Sequence, residues 1–338
     1  MKTLLIITDT TPKQTNGVVR TLSKTIEILS KDFNVRIISP ERFRTTSLPF
    51  YKEIDISLNT IRIGGMIKEL NPDYIHIATE GPVGLAGKLY CDMKGYNYST
   101  SYHSMFPEFI KNIFKINEGI TYPYFKWFHS KSKNVLVPTN MVKTLLESKG
   151  FKNVVIWRRG VDRELFNSSH RNRPLDSHLK VILCVSRVSK EKGLDDFCKI
   201  PVPEGYLKVL IGDGPYLKEL MSKYHSEAVS FAGKKKGKDL SVWYANADVF
   251  IFPSKTDTFG LTQLESMSSG TPVLAYNGTV SEEIINQGVS GYLVDKFTID
   301  EIDFALQLSR EKVEEDAKNW SWENCTNVFK DKLVPKKC

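Results

Sequence analysis

Residues Val249–Leu274 read VFIFPSKTDTFGLTQLESMSSGTPVL, a complete strand–loop–helix–strand pattern. The first apolar run, Val249–Phe252, predicts a buried strand, and apolar residues then recur at helical spacing from Gly260. Gly270 and Pro272 are expected to end that helix before the next apolar run. Strand, helix and strand in this order predict one βαβ unit of a parallel sheet.

The same stretch brings two carboxylates and several backbone amides together. Asp257 lies in the loop after the predicted strand, and Glu265 lies on the predicted helix. The N–H groups of Phe259, Gly260 and Leu261 fall between the two acids, at a helix N-terminus where a phosphate is favoured. Two acids with amides between them can hold the hydroxyls and the diphosphate of a nucleotide-sugar, and this is the chemistry that the stretch predicts.

Composition narrows the class of protein. The 338 residues are 41% hydrophobic and 25% charged, with a net charge of +8, which is ordinary for a globular protein of two domains. No apolar run approaches the length of a membrane span, and the initial MKTLLIITD is interpreted as a first buried strand. The five cysteines contain no C-x-x-C pair, so no disulfide framework or zinc site is predicted, and a reducing, cytoplasmic compartment is expected.

Strand-like and helical patterns alternate along nearly the whole chain, which predicts an α/β protein with two doubly wound, Rossmann-like parallel sheets. The pattern restarts after a linker-like segment at Asn167–Ser177, so the predicted domains are residues 1–165 and 166–315. An irregular segment is predicted after Ser39, followed by a helix over Leu58–Leu70. The two halves are expected to face a central cleft, because ligands bind such sheets at the carboxyl ends of their strands.

The second half contains a possible clamp for a diphosphate. Arg187 follows a predicted strand, and Lys192 precedes the predicted helix that begins at Gly193. Two cations beside a helix N-terminus can hold a diphosphate leaving group, although solvent-facing charges on a loop would give the same pattern. Gly212 and Gly214 in LIGDGPYLKEL permit close approach of a ligand to the backbone, or make a tight turn.

The first half contains weaker signals. Gly17, between a strand and a helix, is consistent with a phosphate loop or an ordinary turn, and no G-x-G-x-x-G pattern is present. His103 follows a predicted strand and could donate to a substrate hydroxyl or stabilise developing charge, whereas His76 is expected to be packed. Glu80 could bind an acceptor hydroxyl or act as a helix-start carboxylate. The aromatic and basic residues of Phe106–Phe128 favour a packed core, with contact to a membrane surface as the alternative.

Together these segments resemble retaining glycosyltransferases of family 4, which have the GT-B architecture, and the resemblance covers almost the whole chain. The motifs that carry it are NGVVRTL at 16–22, IHIATEGPVGLAG at 75–87, SYHSMFPEF at 101–109, WFHSKSKNVLVPT at 127–139, RGVDRELF at 159–166, SRVSKEKG at 186–193, GDGPYLKEL at 212–220, YANADVFIFPSKTDTFGLTQLESMSSGTPV at 244–273 and WSWE at 320–323. Within the family, the branch that contains GDP-mannose-dependent α-mannosyltransferases has motifs similar to TDTFGL, SYH…FPE and RGVD of this chain.

The resemblance implies a role for each candidate residue. Arg187 and Lys192 would bind the donor diphosphate, Glu265 the ribose hydroxyls, and Asp257 the hydroxyls of the transferred sugar. The resemblance also implies that His103 lies near the reacting sugar, that Gly17 lines the phosphate and acceptor side, that Gly212 and the amides of Phe259, Gly260 and Leu261 contact the donor, and that residues 316–338 return to the first domain. It implies a front-face transfer to a lipid or glycan acceptor. No DxD-like metal site is evident in the sequence, so cations of the protein are expected to replace a metal, and no other cofactor and no nucleic-acid partner are expected.

Several departures and alternatives stay open. The family often has Glu where this chain has Asp257, Thr10-Thr11 replace an aromatic residue before Pro12, and Arg158 stands where a small residue is common. A UDP-sugar-dependent glycolipid synthase acting on diacylglycerol is the alternative within the enzyme class. A nicotinamide-dependent dehydrogenase and a non-enzymatic anion- or membrane-binding protein are the alternatives outside it, and oligomeric state is not encoded in any motif.

Overall fold

A computed structural model describes residues 1–14, 16–48, 51–173, 178–225 and 227–337, with the side chains at 47–48, 51–55, 109 and 112–114 left out of the description. The chain divides into two compact units. Unit 1 comprises Met1–Arg159 and Trp322–Cys338, and unit 2 comprises Gly160–Ser321.

Unit 1 is built on a parallel sheet of six strands with a separate hairpin. Its strands are β1 (Lys2–Ile7), β2 (Phe33–Ile38), β3 (Arg44–Leu48), β4 (Tyr51–Leu58), β5 (Tyr74–Ile77), β6 (Ser99–Ser101), β7 (Val135–Val137) and β8 (Val154–Ile156). Its helices before the crossing to unit 2 are α1 (Gly17–Leu29), α2 (Ile63–Leu70), α3 (Pro82–Lys94), α4 (Phe106–Phe114), α5 (Glu118–His129) and α6 (Asn140–Ser148). The strand order is β2-β1-β5-β6-β7-β8.

This order creates a switch point in unit 1. The chain runs from β1 to β2 on one side and later places β5 on the other side of β1. The loops after β1 and β5 therefore diverge at the carboxyl end of the sheet, which is where open α/β sheets bind ligands. Strand β1 is apolar on both faces, and Leu4, Leu5, Ile6 and Ile7 are fully buried, as parallel strands covered on both sides require.

Two local predictions in unit 1 are wrong. The segment after Ser39, predicted to be irregular, contains the antiparallel hairpin of β3 and β4. Leu58 is the last residue of β4, so the helix predicted from Leu58 begins instead at Ile63, after a short 3-10 turn. Strand β8 was not predicted.

Unit 2 repeats the architecture. Its strands are β9 (Lys180–Val185), β10 (Tyr206–Ile211), β11 (Val229–Gly233), β12 (Val249–Phe252), β13 (Val273–Tyr276) and β14 (Gly291–Val294). Its helices are α7 (Leu194–Cys198), α8 (Leu217–Lys223), α9 (Gly237–Asn246), α10 (Leu261–Ser268), α11 (Ile299–Leu306) and α12 (Arg310–Ala317). The parallel sheet has the order β11-β10-β9-β12-β13-β14, so its switch point lies between β9 and β12.

The boundary between the units differs slightly from the predicted one. Residues 160–165 group with unit 2, because Val161 lies in the core of unit 2 and its N–H donates to the carbonyl of Trp320 (3.0 Å). The last helix, α13 (Trp322–Asp331), belongs to unit 1, where Phe329 packs against His76 with ring centroids 4.7 Å apart. The compact units change at 159 and 321, whereas the predicted domain boundaries lie after 165 and 315.

Candidate functional site

In unit 2 the loops after β9 and β12 are pressed together at the switch point. Gly193 ends the loop after β9 with a positive φ of 65°, and a Cβ added there would collide with the carbonyl oxygen of Pro253. The Thr256 hydroxyl donates to the Glu191 carbonyl oxygen (3.2 Å), which ties the two loops a second time. A glycine is needed at Gly193 because a side chain would force the loops apart.

This contact brings two of the predicted site residues into an ion pair. The Lys192 ammonium lies 2.5 Å from Oδ1 of Asp257, and the two side chains are 21% and 22% exposed. Both groups therefore remain within reach of a ligand from solvent. A cation and a carboxylate held at the carboxyl end of a parallel sheet can bind an anionic group and a hydroxyl side by side.

Arg187 and Gly212 lie in two loops that pack on each other, after β9 and after β10. Arg187 is half-buried in the same β9–α7 loop as Lys192. A Cβ at Gly212 would collide with the carbonyl oxygen of Ser186, and one at Gly214 would collide with the carbonyl oxygen of Val188. The glycines after β10 are thus explained by the packing of one loop on another, a role that needs no ligand.

Glu265 is held differently from Asp257. It lies on α10, is 3% exposed, and its Oε2 accepts a hydrogen bond from the Tyr244 hydroxyl on α9 (3.0 Å). Tyr244 itself is fully buried. The carboxylate of Glu265 is therefore oriented by a buried phenol, and the sequence pattern alone did not single out Tyr244.

The N-terminus of α10 opens at Gly260. This residue has a φ of 88°, and an added Cβ would lie 2.6 Å from Cζ of Phe252. Phe259 is buried with its ring edge-on to Trp320, at a centroid distance of 5.6 Å. Gly260 has no side chain that could cap the helix, and the Gln263 N–H already donates to the Gly260 carbonyl (3.0 Å). The N–H groups of this first turn form the positive end of the helix dipole, where an anion is stabilised.

In unit 1 the switch point is organised by Asp9, which sequence reasoning missed. Its carboxylate accepts hydrogen bonds from the N–H of Val83 (2.7 Å), the N–H of Gly84 (3.1 Å) and the hydroxyl of Thr79 (2.8 Å). The N–H of Asp9 donates to the Thr79 oxygen (2.6 Å). Burial raises the pKa of Asp9, while these hydrogen bonds act in the opposite direction. Asp9 thus supplies the carboxylate at the start of α3, a role considered for Glu80.

Glu80 is instead part of a buried chain of hydrogen bonds. Its Oε1 lies 3.3 Å from Nε2 of His129, and burial raises the pKa of the Glu80 carboxyl. Ser132 donates to the Asn134 carbonyl (2.7 Å) and accepts from the Thr100 hydroxyl (2.9 Å), so Thr100 accepts from Nδ1 of His129 (2.8 Å). Nδ1 of His129 therefore carries a proton, and the group that faces Glu80 is Nε2.

His103 lies just beyond the end of β6 and is buried. Nη2 of Arg159 donates to Nδ1 of His103 (3.2 Å), and the His103 ring is edge-on to Trp157 at a centroid distance of 5.6 Å. The pKa of His103 is lowered well below its ordinary value, mainly by burial and then by the charges of Arg159 and His76. His76 is fully buried between the hydroxyls of Ser99 and Ser101, each 2.9 Å from a ring nitrogen, as a packed histidine would be.

Gly17 is the first residue of α1. The side chain of Asn16 caps this helix by accepting from the N–H of Val19 (2.9 Å), and Thr21 donates back to the Gly17 carbonyl (2.7 Å). Gly17 therefore lies at an exposed helix N-terminus that follows β1. This is the place that a phosphate loop would occupy, and it is equally a capped ordinary turn.

The aromatic segment Phe106–Phe128 is divided between core and surface. The buried side chains are Tyr122, Phe125 and Phe128, and the exposed ones are Phe106, Ile116, Ile120, Tyr124 and Trp127. Three further aromatic or apolar side chains of the segment, Phe109, Ile113 and Phe114, lie outside the described residues. Across the described parts of both units, no helix combines the length and the apolar character needed to cross a bilayer.

Comparison with known proteins identifies the family. A model of glycosyltransferase family 4 matches residues 15–165, and a model of the glycosyl transferases group 1 matches residues 166–320. Among solved structures, the sucrose-phosphate synthase of Thermosynechococcus elongatus superposes with a TM-score of 0.77 at 15% identity, with 98% of each chain covered. The two Rossmann-like parallel-sheet units thus form the GT-B fold, as predicted, while a cleft between them stays a prediction.

Two relatives of similar sequence are named for different sugar-transfer activities. The sulfoquinovosyl transferase SQD2 of Arabidopsis thaliana is 29% identical over 77% of this chain and 54% of its own length. A GDP-mannose-dependent alpha-mannosyltransferase of Corynebacterium glutamicum is 26% identical over 75% of this chain and 63% of its own length. The matched region thus spans less than two thirds of either relative. With family models on both halves and this fold, the chain belongs to glycosyltransferase family 4.

Proposed function

We propose that this protein transfers a hexose, mannose from GDP-mannose, to a lipid or glycan acceptor with retention at the anomeric carbon. The observation that carries the proposal is the Lys192–Asp257 pair, 2.5 Å apart at the switch point of unit 2 and still partly open to solvent. A nucleotide-sugar carries an anionic diphosphate next to a ring of hydroxyls. The ammonium and the carboxylate of this pair match those two parts.

The reaction breaks the bond between the anomeric carbon and a phosphate oxygen and forms a bond from that carbon to the acceptor oxygen. Negative charge grows on the departing diphosphate, and the sugar becomes oxocarbenium-like. Lys192, Arg187 and the amides at the start of α10 would stabilise the diphosphate more in the transition state than in the ground state. The acceptor's hydroxyl proton passes to the leaving phosphate, so this route needs no separate protein base.

The two carboxylates have different roles in the proposal. Asp257 binds hydroxyls of the transferred sugar once the diphosphate draws Lys192 away from it. Glu265, oriented by Tyr244, binds the ribose hydroxyls. In unit 1, His103 donates to the reacting sugar, and Gly17 lies on the phosphate and acceptor side. Because fixed cations balance the diphosphate, we propose that no divalent metal is required.

The choice of GDP-mannose is supported by the relative from Corynebacterium glutamicum and by the TDTFGL wording of residues 256–261. The relative from Arabidopsis thaliana supports a second candidate, a UDP-sugar-dependent glycolipid synthase, because it is named for transfer of a different sugar. Thermal unfolding in the presence of each donor distinguishes the two candidates.

A lipid acceptor is supported by one surface of unit 1. The large exposed apolar side chains on α3 and α5 are Leu89, Met93, Ile120, Tyr124 and Trp127. Lys88 of α3 lies over the Trp127 ring of α5 (4.2 Å), so the two helices meet along this surface. The same two helices carry the exposed lysines Lys94 and Lys126. Exposed apolar side chains together with lysines suit the interface of an anionic bilayer, and we propose peripheral contact there.

The first experiment is thermal unfolding with GDP-mannose, UDP-glucose, UDP-galactose or NAD, followed by a transfer assay with the stabilising donor. We expect GDP-mannose to raise Tm, because a ligand that prefers the folded state stabilises it. A shift with a UDP-sugar alone would select the second candidate. No shift with any nucleotide-sugar, together with no transfer, would contradict both. Turnover unchanged by EDTA is expected, and its loss would contradict the metal-free route.

Lys192 has a matched control in the same turn. Lys192→Ala should lower kcat by roughly 100-fold, the usual scale for a lost donor to transition-state charge. Lys190 is two residues away, but it is 70% exposed and pairs with Glu219 of α8, so Lys190→Ala should leave turnover near that of the wild type. Equal effects of the two variants would refute the clamp.

The membrane surface is tested with vesicles of anionic phospholipid. Ile120→Ser and Trp127→Ser should each weaken co-sedimentation, while Phe304→Ser, which removes an exposed apolar side chain from α11, should not. Binding that all three variants retain would argue against this surface, and absence of any binding by the wild type would favour a glycan acceptor.

A further inference from the structure

Arg159 is a buried cation placed behind His103. It is 4% exposed and stands in unit 1 shortly after β8. Its Nη1 donates to the carbonyl oxygens of Trp157 and Arg158, and its guanidinium carbon lies 4.4 Å from the centroid of the Trp157 ring. Its Nη2 donates to Nδ1 of His103 (3.2 Å). Both terminal nitrogens of the guanidinium therefore donate hydrogen bonds, Nη1 to backbone carbonyls and Nη2 to an imidazole nitrogen.

The Trp157 ring, on which the Arg159 guanidinium packs, is itself held in place by the last helix, α13. The indole N–H donates to the Cys325 carbonyl (3.1 Å), and the Trp157 ring packs on Phe329 at a centroid distance of 4.9 Å. Trp157 is fully buried. Since Trp157 contacts both the guanidinium and the His103 ring, these two groups have little freedom to separate.

The chemistry of the contact decides where the proton of His103 lies. A guanidinium has five N–H donors and no acceptor, so Nδ1 of His103 must supply a lone pair. The proton of the neutral imidazole is then on Nε2. Burial lowers the pKa of Arg159 only to about 10, so it stays charged at neutral pH, and the lowered pKa of His103 agrees with a neutral ring.

We propose that Arg159 is the positioning residue that holds His103 as the neutral Nε2–H tautomer. Resting on the proposed sugar transfer, this makes His103 a hydrogen-bond donor toward a substrate oxygen and rules it out as the base that deprotonates the acceptor. The guanidinium charge behind the ring polarises Nε2–H and strengthens its hydrogen bond to an oxygen that gains negative charge. The ligand atom that His103 recognises is therefore a hydroxyl or phosphate oxygen.

The test uses the full-length protein labelled with ¹⁵N-histidine, in two-bond ¹H–¹⁵N correlation spectra at neutral pH. His103 is assigned by the signal that disappears in His103→Gln. We expect a protonated Nε2 and an unprotonated Nδ1. A protonated Nδ1, or an imidazolium, in the wild type would overturn the proposal without any reference to activity.

Three variants separate tautomer control from mere packing. Arg159→Met removes the donor and should convert the His103 signal to a mixture of tautomers, whereas Arg159→Lys keeps a donor and should retain the Nε2–H form. Arg158→Met, one residue away and exposed, should leave the His103 signal unchanged. An unchanged signal in Arg159→Met would overturn the proposal. If that variant does not fold, the wild-type and Arg159→Lys spectra still decide it.

Kinetics test the catalytic consequence. Arg159→Met should lower kcat by about tenfold or more with little change in the KM of the donor, and Arg159→Lys should restore most of it. Normal kcat in a folded Arg159→Met variant would overturn the role in transfer. The expected spectra in a protein that transfers no sugar would instead contradict the proposed function and leave the tautomer assignment standing.

Discussion

Oδ1 of Asp9 accepts a hydrogen bond from the N–H of Val83 at 2.7 Å, although the two residues belong to different βα units. Oδ2 accepts from the next amide, that of Gly84 (3.1 Å), so one carboxylate satisfies two N–H groups at the start of α3. The local N-cap residue, Gly81, has no side chain, and an added Cβ there would lie 2.5 Å from Cγ of Asp9. The helix is capped by a residue from the neighbouring strand's loop.

Removing this cap should destabilise unit 1. Asp9→Ala should lower the free energy of unfolding by about 1–2 kcal/mol, because buried amides lose their acceptor. Asp32→Ala, which removes an exposed carboxylate paired with Lys330, should cost no more than about 0.5 kcal/mol. Urea unfolding of the two variants measures the difference, and equal losses would mean that Asp9 does not act as the cap.

The buried Glu80–His129 pair should behave as a coupled unit. His129→Ala leaves the Glu80 carboxyl buried without its partner and should cost about 3 kcal/mol. Adding Glu80→Gln to that variant should recover part of the loss, because a neutral amide is less costly to bury than an unpaired carboxylate. A double-mutant cycle by urea unfolding gives the coupling energy, and strictly additive losses would show that the pair has no coupling.

The contact between the loops after β9 and β12 can be tested with two glycines. Gly193 and Gly237 both have positive φ, 65° and 54°, but only at Gly193 would a Cβ meet the backbone of another loop. Gly237→Ala should cost about 1 kcal/mol from backbone strain alone. Gly193→Ala should cost more and should also weaken donor binding, measured by calorimetric titration. Equal costs would imply that the loops can separate freely.

His76 should give the stability of unit 1 a definite pH dependence. Burial lowers its folded-state pKa to about 3, from 6.5 in the unfolded chain, so the unfolded state binds more protons between these values. The stabilisation that comes from keeping the His76 ring neutral is fully present above pH 6.5. As pH falls below 6.5, the free energy of unfolding decreases by about 1.4 kcal/mol per pH unit. The difference in unfolding free energy between wild type and His76→Gln, followed from pH 7 to pH 4.5, should shrink by about 1.4 kcal/mol for each pH unit below 6.5. A constant difference would exclude the buried neutral ring.

Tyr244 offers a test of the role of Glu265. Tyr244→Phe removes the hydroxyl that orients Oε2, and one hydrogen bond of about 1 kcal/mol corresponds to roughly a fivefold rise in the KM of the donor. Little change in kcat is expected, because the ribose lies away from the reacting carbon. Tyr206→Phe, whose hydroxyl contacts Asp303 elsewhere in unit 2, serves as the control. An unaltered donor KM in Tyr244→Phe would argue against ribose binding by Glu265.

The sequence predicted most strands and helices because their signals are local. The apolar run Val249–Phe252 forms a strand with the predicted bounds, because a short run of apolar residues between turn residues is a local signal. The hairpin of β3 and β4 was not predicted because β3 reads RTTSL, which has too few apolar residues to indicate a strand. Strand β8 was not predicted either. Lys192, Asp257 and His103 could be chosen as candidates from the sequence, because each lies in a loop that follows a predicted strand.

Contacts between residues that are distant in the sequence could not be predicted in the same way. Nothing near Lys192 in the chain indicates that Asp257 will lie 2.5 Å away, because that distance follows from the adjacency of β9 and β12 in the sheet. Asp9 contacts the N–H of Val83 because β5 lies beside β1. Arg159 contacts His103 because the strands that precede them end at the same edge of the sheet. Periodicity and motif order establish the two α/β halves and the family resemblance, since each depends on neighbouring residues. The partner and proton of each side chain depend on sheet order and burial, and these exist only in the folded chain.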